Sequence, residues 1–190
     1  GMAALSKHAS LSFLERLQPD PQTQEFLPNR SSRPVKSGHY VPVDPTPLPS
    51  PQLVCVSPLM LNELDLEEED IRGDETFLQL FSGETKDFKD SLSKLTWATP
   101  YALTIYGQDM VHNCPFGTGE GYGDGRAISV AEVELKHKNS RWEFQLKGAG
   151  RTPFCRGGDG RAVLRSSVRE FLASELMFSL GVSTTRALSL

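Results

Sequence analysis

The sequence predicts an α+β domain in which an antiparallel sheet is followed by one amphipathic helix, behind a proline-rich N-terminal extension. Residues 127–135 (AISVAEVEL) have the composition of a strand, and residues 141–147 (RWEFQLK) alternate between polar and apolar side chains, as a half-buried strand does. Residues 161–180 carry apolar side chains at helical spacing. Ten of the 13 prolines lie between Pro19 and Pro58.

The proline-rich segment is predicted to lie outside sheets and helices, because proline lacks the backbone N–H that both structures use. We expect it to wrap the surface of the domain in extended form; a flexible linker is the alternative. Ser57 and Pro58 then supply an N-cap and a first-turn proline for a short helix through Leu64. A second short helix is predicted over 75–81, ending at Gly83.

The hairpin and the long helix that follow each have a distinct apolar face. A polar turn over 136–140 joins the two strands, and Gly181 ends the helix. Residues 184–190 have the pattern of a further strand, and the chain stops within it. Because a domain rarely ends in the middle of a strand, we expect a truncated protein. The apolar face of the second strand consists of Trp142, Phe144 and Leu146, and the apolar face of the helix consists of Leu164, Val168, Phe171, Leu172 and Leu176.

Composition argues against several classes of function. With 20 Lys+Arg against 24 Asp+Glu the net charge is −4, which argues against a general nucleic-acid binder. No run approaches 18 apolar residues, so no membrane span is expected. The three cysteines lack Cys-x-x-Cys spacing and the four histidines lack metal-binding spacing, so no zinc site is indicated. We expect a cytoplasmic protein; a mitochondrial location is the alternative, because residues 2–17 weakly resemble a presequence.

Positive charge is concentrated late in the chain, which indicates a local anion site. Residues 147–170 contain six Lys and Arg residues against two acidic residues. Upstream, residues 117–126 (GTGEGYGDGR) have glycine at every second position, so backbone N–H groups can approach phosphate oxygens without an intervening Cβ. Arg126 adds a planar fork of donors. A flexible hairpin connection is the alternative, and neither the Walker A nor the Rossmann pattern fits.

The order of the charged residues is more informative than their number. Lys147 ends the second strand on its polar face, and Glu170 follows 23 residues later on the helix. A glycine loop, a strand lysine and a helix glutamate occur in this order in the N-terminal lobe of protein kinases. A phosphate-binding lysine needs a carboxylate to hold its flexible stem. The alternative for Glu170 is a solvent-exposed side chain in contact with Ser166. Two interpretations of Asp159 also stay open, because it is either an N-cap of the helix or part of the pocket.

Long motifs in this region are similar to those of one known family. They are GDGRA at 123–127, WEFQLKGAGRTP at 142–153 and DGRAVLRSSVREFL at 159–172, with DPTPL at 44–48 and PQLV at 51–54 upstream. Together they resemble the selenoprotein O family of pseudokinase-fold protein adenylyltransferases. The resemblance covers about residues 11–190. Residues 106–117 depart from the family's usual segment, which marks a divergent branch.

The resemblance implies a kinase-like fold that binds ATP in an inverted orientation and transfers AMP to Ser, Thr or Tyr hydroxyls of proteins. Lys147 would hold ATP phosphates and Glu170 would orient Lys147. The nucleotide would also be bound by Gly123, Gly125, Arg126, Asp159 and Gly160. The catalytic aspartate and the ligands of Mg²⁺ or Mn²⁺ are expected in a C-terminal lobe outside this chain, so the chain alone is expected to be inactive.

These expectations divide the chain into three parts. Residues 1–58 are a proline-rich extension, residues 59–100 hold short helices and an acidic loop, and residues 101–190 are the nucleotide-binding lobe. Two other functions stay open on the same fold. One is a conventional protein kinase that transfers the γ-phosphate, and the other is a nucleotide-binding regulatory pseudokinase without transfer activity.

Overall fold

The computed structural model describes residues 1–99, 125–155 and 157–190 and has the α+β architecture predicted from the sequence. Residues 1–99 contain short helices and three short strands, and residues 125–190 contain the long hairpin and one long helix. The strands are β1 (Ala9–Ser10), β2 (Val41–Pro42), β3 (Trp97–Ala98), β4 (Ala127–Leu135) and β5 (Ser140–Lys147). The α-helices are α1 (Met2–Ser6), α2 (Pro58–Glu63), α3 (Glu68–Arg72), α4 (Glu75–Phe81) and α5 (Leu164–Ser179).

Strand β4 is the centre of the antiparallel sheet. Along one edge it pairs with β5 from Ala127 opposite Lys147 to Leu135 opposite Ser140, with one irregularity between Ser129 and Ala131. Its other edge pairs with β1 and with β3, and β3 in turn pairs with β2. The hairpin formed by β4 and β5 has almost the bounds that the sequence predicts. It places Lys147 at the end of β5 that lies beside the start of β4.

The main hydrophobic core forms between β4 and the short helices. Ile128, Val130 and Val133 of β4 are fully buried, because the strand is covered on both faces. Helices α2 and α4 pack against it through Leu61 and Phe77 among others. The cluster contains residues from position 2 to position 154, so all three sequence segments contribute to one core.

Part of the proline-rich extension is incorporated into the sheet, which corrects the expectation that it stays outside. Val41 and Pro42 form β2, opposite Ala98 and Trp97. This is an edge position among the described strands, where proline is tolerated because one side of the strand needs no donor. Buried Val35, Val41 and Val43 anchor the surrounding extended chain.

The two helices predicted after the extension are confirmed, as is the predicted cap at Ser57. The Ser57 side chain accepts a hydrogen bond from the backbone N–H of Met60 at the start of α2. Asp74 caps α4 by accepting from the backbone N–H groups of Thr76 at 3.0 Å and Phe77 at 3.2 Å. Its second oxygen accepts from the N–H of Met2 at 2.9 Å, which attaches α1 to α4.

Replacement of Asp74 by alanine is expected to lower the free energy of unfolding by about 1–2 kcal/mol. The change leaves the N–H groups of Thr76, Phe77 and Met2 without their acceptor. Denaturant unfolding measures the effect. The matched control is Asp90→Ala, at an exposed aspartate of the following loop, for which we expect a change within about 0.5 kcal/mol. Equal effects of the two changes would contradict the capping role.

Helix α5 is shorter than predicted, and its apolar stripe is exposed in the described structure. It begins at Leu164 rather than near Arg161, and Leu172 and Leu176 are 63% and 59% exposed. The strand predicted over 184–190 is reduced to an antiparallel bridge between Val56 and Ser189. A hairpin followed by such a helix is compatible with the N-terminal lobe of a protein kinase.

Candidate functional site

Lys147 and Glu170 form an ion pair between the end of β5 and the second turn of α5. The alternative contact of Glu170 with Ser166 is not formed, because the Ser166 hydroxyl donates instead to the backbone oxygen of Val163. The Lys147 side chain is 27% exposed and that of Glu170 is 59% exposed. A ligand can therefore reach both charged groups from solvent.

The ion pair lies in an open groove of about 690 Å³ between the hairpin and α5. Three cationic side chains and one carboxylate line it, so the groove suits an anion with several negative charges. Its polar lining residues are Arg126, Lys147, Ser166, Arg169 and Glu170, and its apolar lining residues are Leu172, Ala173 and Leu176. Arg169 was not among the site residues predicted from the sequence, although it directly precedes Glu170.

Gly125 and Arg126 are held by the loop that follows β5. The Gly125 backbone oxygen accepts from the Thr152 hydroxyl at 3.1 Å, and a Cβ at Gly125 would lie 2.7 Å from Cys155 Cα. The backbone oxygen of Arg126 accepts from the N–H of Gly148 at 2.7 Å. The backbone is thus fixed while the Arg126 side chain stays exposed beside Lys147. Gly123 lies outside the described residues.

Asp159 and Gly160 occupy the end of the loop and do not line the groove as it is described. Of the two alternatives for Asp159, the helix N-cap is wrong, because α5 begins after Val163 and has no side-chain cap there. Asp159 instead accepts from the N–H of Arg161 at 2.9 Å, within its own turn. Gly160 has a φ of +72°, and its backbone oxygen accepts from the N–H of Gly150 at 3.1 Å.

Arg161 connects this loop to the proline-rich extension. Its guanidinium donates to the backbone oxygens of Thr46 at 2.8 Å, Pro47 at 3.1 Å and Gly148 at 3.2 Å. Its own backbone oxygen accepts from the guanidinium of Arg126 at 3.4 Å. Only some of the local positive charge therefore faces the groove, because the Arg161 side chain binds backbone carbonyls.

A second carboxylate of α5, Glu175, is the centre of a partly buried polar cluster. Arg186 donates to it through two nitrogens, each at 2.8 Å, and the Ser57 hydroxyl donates at 2.7 Å. The N–H of Ala187 adds a fourth hydrogen bond at 3.0 Å. The hydrogen bonds from Arg186 are the main cause that lowers the pKa of the Glu175 carboxyl to about 2, while burial opposes them.

This lowered pKa predicts a pH-dependent contribution to stability. The unfolded chain protonates Glu175 near its ordinary pKa of 4.5, whereas the native carboxyl stays ionised down to about 2. The stabilisation is therefore complete above pH 4.5 and disappears as the pH falls through 2. Glu175→Gln is expected to cost about 2–3 kcal/mol at pH 7, and this difference from the unmodified chain should shrink in acid.

Urea unfolding at several pH values checks this prediction. The matched control is Glu68→Gln, which removes an exposed Glu–Arg pair on α3 with a separation of 2.7 Å. An exposed pair contributes about 0–1 kcal/mol, so the control should show a small loss at every pH. A loss at Glu175 that does not vary with pH would contradict the assigned ionisation.

The described residues contain no group of three or more His, Cys, Asp or Glu side chains that could hold a metal ion. The position of the ligands for Mg²⁺ or Mn²⁺ in a further lobe therefore stays a prediction. In the same part of the chain no helix has the length and apolarity needed to cross a membrane.

Comparison with known proteins identifies the family. Residues 25–190 match the family described as protein adenylyltransferase SelO. The chain belongs to this family. The resemblance predicted from the motifs is thus confirmed, and the SelO match includes the hairpin, the groove and α5.

Curated relatives named protein nucleotidyltransferase YdiU agree with the SelO assignment. The chain is 46% identical over 151 residues to the protein of Thiobacillus denitrificans, an alignment of 80% of this chain and 28% of the relative. It is 44% identical over 179 residues to the protein of Azoarcus sp., and this alignment covers 94% of the present chain and 30% of the relative. For Tolumonas auensis the identity is 42% over 184 residues, covering 96% and 31%. The chain spans less than a third of the length of these relatives.

Proposed function

We propose that this chain is the ATP-binding N-terminal part of a protein adenylyltransferase that transfers AMP from ATP to Ser, Thr or Tyr hydroxyls of proteins. The contact between Lys147 and Glu170 in a cationic groove carries the proposal, within a chain of the SelO family. A polyphosphate has the charge to match this groove. An ion pair at its wall holds the lysine ammonium in place before the ligand arrives.

In this proposal each residue of the groove has a separate task. Lys147 and Arg126 bind phosphate oxygens, and Glu170 orients Lys147. Gly123 and Gly125 line the nucleotide, and Asp159 and Gly160 bind its far end. Arg126 suits a phosphate because its guanidinium offers parallel N–H donors.

The proposed reaction breaks one bond and forms one. The substrate hydroxyl oxygen attacks the α-phosphorus, the bond from that phosphorus to the bridging oxygen breaks, and pyrophosphate leaves. The inverted nucleotide presents the α-phosphorus to the protein hydroxyl, and the cations of the groove stabilise negative charge on the other phosphates. A bound Mg²⁺ or Mn²⁺ would neutralise further phosphate charge.

The base that accepts the hydroxyl proton and the metal ligands are proposed to lie in a C-terminal lobe outside this chain. We therefore expect the 190-residue chain alone to bind ATP without transferring AMP. The proposed partners are ATP and protein substrates, with no nucleic acid, and the proposed location is the cytoplasm.

Labelled ATP tests the proposal. The full-length protein that carries this chain is incubated with Mg²⁺ or Mn²⁺ and ATP labelled on either the α- or the γ-phosphate. We expect protein to become labelled when the ATP carries the label on the α-phosphate, and to stay unlabelled when the label is on the γ-phosphate. Label from the γ position alone would make the protein a conventional kinase. No label from either position, together with ATP binding, would favour a regulatory pseudokinase.

A further inference from the structure

The position of α5 depends on polar contacts at two of its carboxylates. None of the helix residues is buried within the described structure, and much of the apolar stripe is exposed. Glu170 contacts Lys147 on the sheet, and Glu175 contacts Ser57 and Arg186. The two carboxylates are five residues apart, about 7.5 Å along the helix axis and on different faces. Two such attachments restrain both the rotation of the helix about its axis and its translation along it.

The attachment at Glu175 is the more buried of the two. The Arg186 side chain is 4% exposed and that of Glu175 is 15% exposed, against 59% for Glu170. The Arg186 guanidinium also lies 3.6 Å from the centre of the Phe178 ring, on the same helix. Four hydrogen bonds converge on the Glu175 carboxylate, so both of its oxygens are satisfied.

The partners of Glu175 are themselves fixed to the core. Ser57 caps α2, which contributes the buried side chains Met60 and Leu61. The N–H of Ser57 donates to the oxygen of Leu188 at 2.9 Å, which ties the last residues of the chain to the same point. The Glu175 carboxylate therefore joins α5 to two backbone segments that the core holds in place.

We propose that Glu175 is a positioning residue that holds α5 where Glu170 can meet Lys147. The consequence for transfer rests on the function proposed above. Removal of the Glu175 charge leaves the Arg186 guanidinium buried without its counter-ion, and a buried unpaired charge is strongly unfavourable. The segment around Arg186 then moves toward water, α5 loses one of its two attachments, and Glu170 no longer restrains Lys147.

A second explanation is that Glu175 only joins the end of the chain to residues 54–57 and thereby adds stability. The two explanations differ in how Glu175 and Glu170 combine. If Glu175 acts through Glu170, its replacement has little further effect once Glu170 is already replaced. If it acts on general stability, the two losses multiply, as they do for independent sites.

The test is a double-mutant cycle in the full-length protein that carries this chain. AMP transfer at saturating ATP is measured for Glu175→Gln, Glu170→Gln and the double variant, with Glu68→Gln as the control on α3. We expect Glu175→Gln to lower kcat by about tenfold in the unmodified background and by less than about twofold in the Glu170→Gln background. Equal losses in both backgrounds would overturn the proposal.

Amide hydrogen exchange tests the same inference without turnover. Glu175→Gln should accelerate exchange in residues 164–179 and leave β4 and β5 protected, and unchanged exchange in the helix would overturn the proposal. If Glu175→Gln folds poorly, Arg186→Lys replaces it, because lysine keeps the charge and loses the two-nitrogen contact. A wild-type protein that transfers no AMP would refute the proposed function alone, since the exchange comparison still decides the positioning role.

Discussion

Lys147→Ala is expected to lower AMP transfer by about a thousandfold and to leave the fold intact. Lys147 is the groove cation that a carboxylate holds in place, so under the proposed function its loss removes a preorganised positive charge from the phosphates. It also leaves the Glu170 carboxylate facing the nucleotide unpaired, where it repels the phosphates. The fold survives because a partly exposed ion pair contributes only about 0–1 kcal/mol to stability.

The matched control for this prediction is Lys136→Ala, at an exposed lysine in the turn of the same hairpin. It changes the net charge equally but lies at the other end of β5, so transfer should stay within about twofold of the unmodified protein. Transfer is measured as label incorporated from the α-phosphate, with circular dichroism to verify the fold. Full transfer by the Lys147→Ala protein would remove this groove as the proposed nucleotide site.

Features that depend on neighbouring residues could be predicted from the sequence. The bounds of β4 follow from its composition, because a strand buried on both faces is rich in apolar residues, and those of β5 follow from its alternation, because one of its faces is buried. The cap at Ser57 follows from a residue type with a known preference at helix starts, and Asp74, which was not predicted, caps α4 for the same reason. The pairing of Lys147 with Glu170 followed from their order on a strand and a helix.

Features that depend on distant residues could not be predicted. Arg161 belongs to the basic segment 147–170 that indicated an anion site, but its side chain donates to the backbone oxygen of Thr46, 115 positions away. A backbone carbonyl is present at every residue, so the sequence does not show which one accepts. The contact between Ser57 and Glu175 spans 118 positions. Pro42 joins a sheet because β3 offers an edge, which only the assembled topology provides. Gly123 and residues 106–117 lie outside the described structure, so those predictions stand untested.

Gly160→Ala is expected to lower the free energy of unfolding by about 4 kcal/mol or more. Gly160 has a φ of +72°, and an added Cβ would overlap the backbone oxygen of Gly150 and lie 2.7 Å from the N atom of Arg151. Backbone atoms cannot swing aside as a flexible side chain can. The loop must therefore open, which breaks the hydrogen bond from Gly150 to Gly160 and displaces Asp159 and Arg161.

Gly157→Ala separates the overlap from the backbone strain. Gly157 lies in the same loop with a φ of +80°, but nothing lies within 4 Å of its added Cβ, so we expect a cost of about 1 kcal/mol. Denaturant midpoints of the two variants measure the difference, and ATP titrations should show weaker binding for Gly160→Ala alone. Binding weakens because the backbone oxygen of Arg161 moves with the loop and no longer accepts a hydrogen bond from the Arg126 guanidinium, which lies beside Lys147. Equal costs for the two variants would mean that the contact between Gly160 and Gly150 yields easily, and the loop would then not be a rigid support for Arg126.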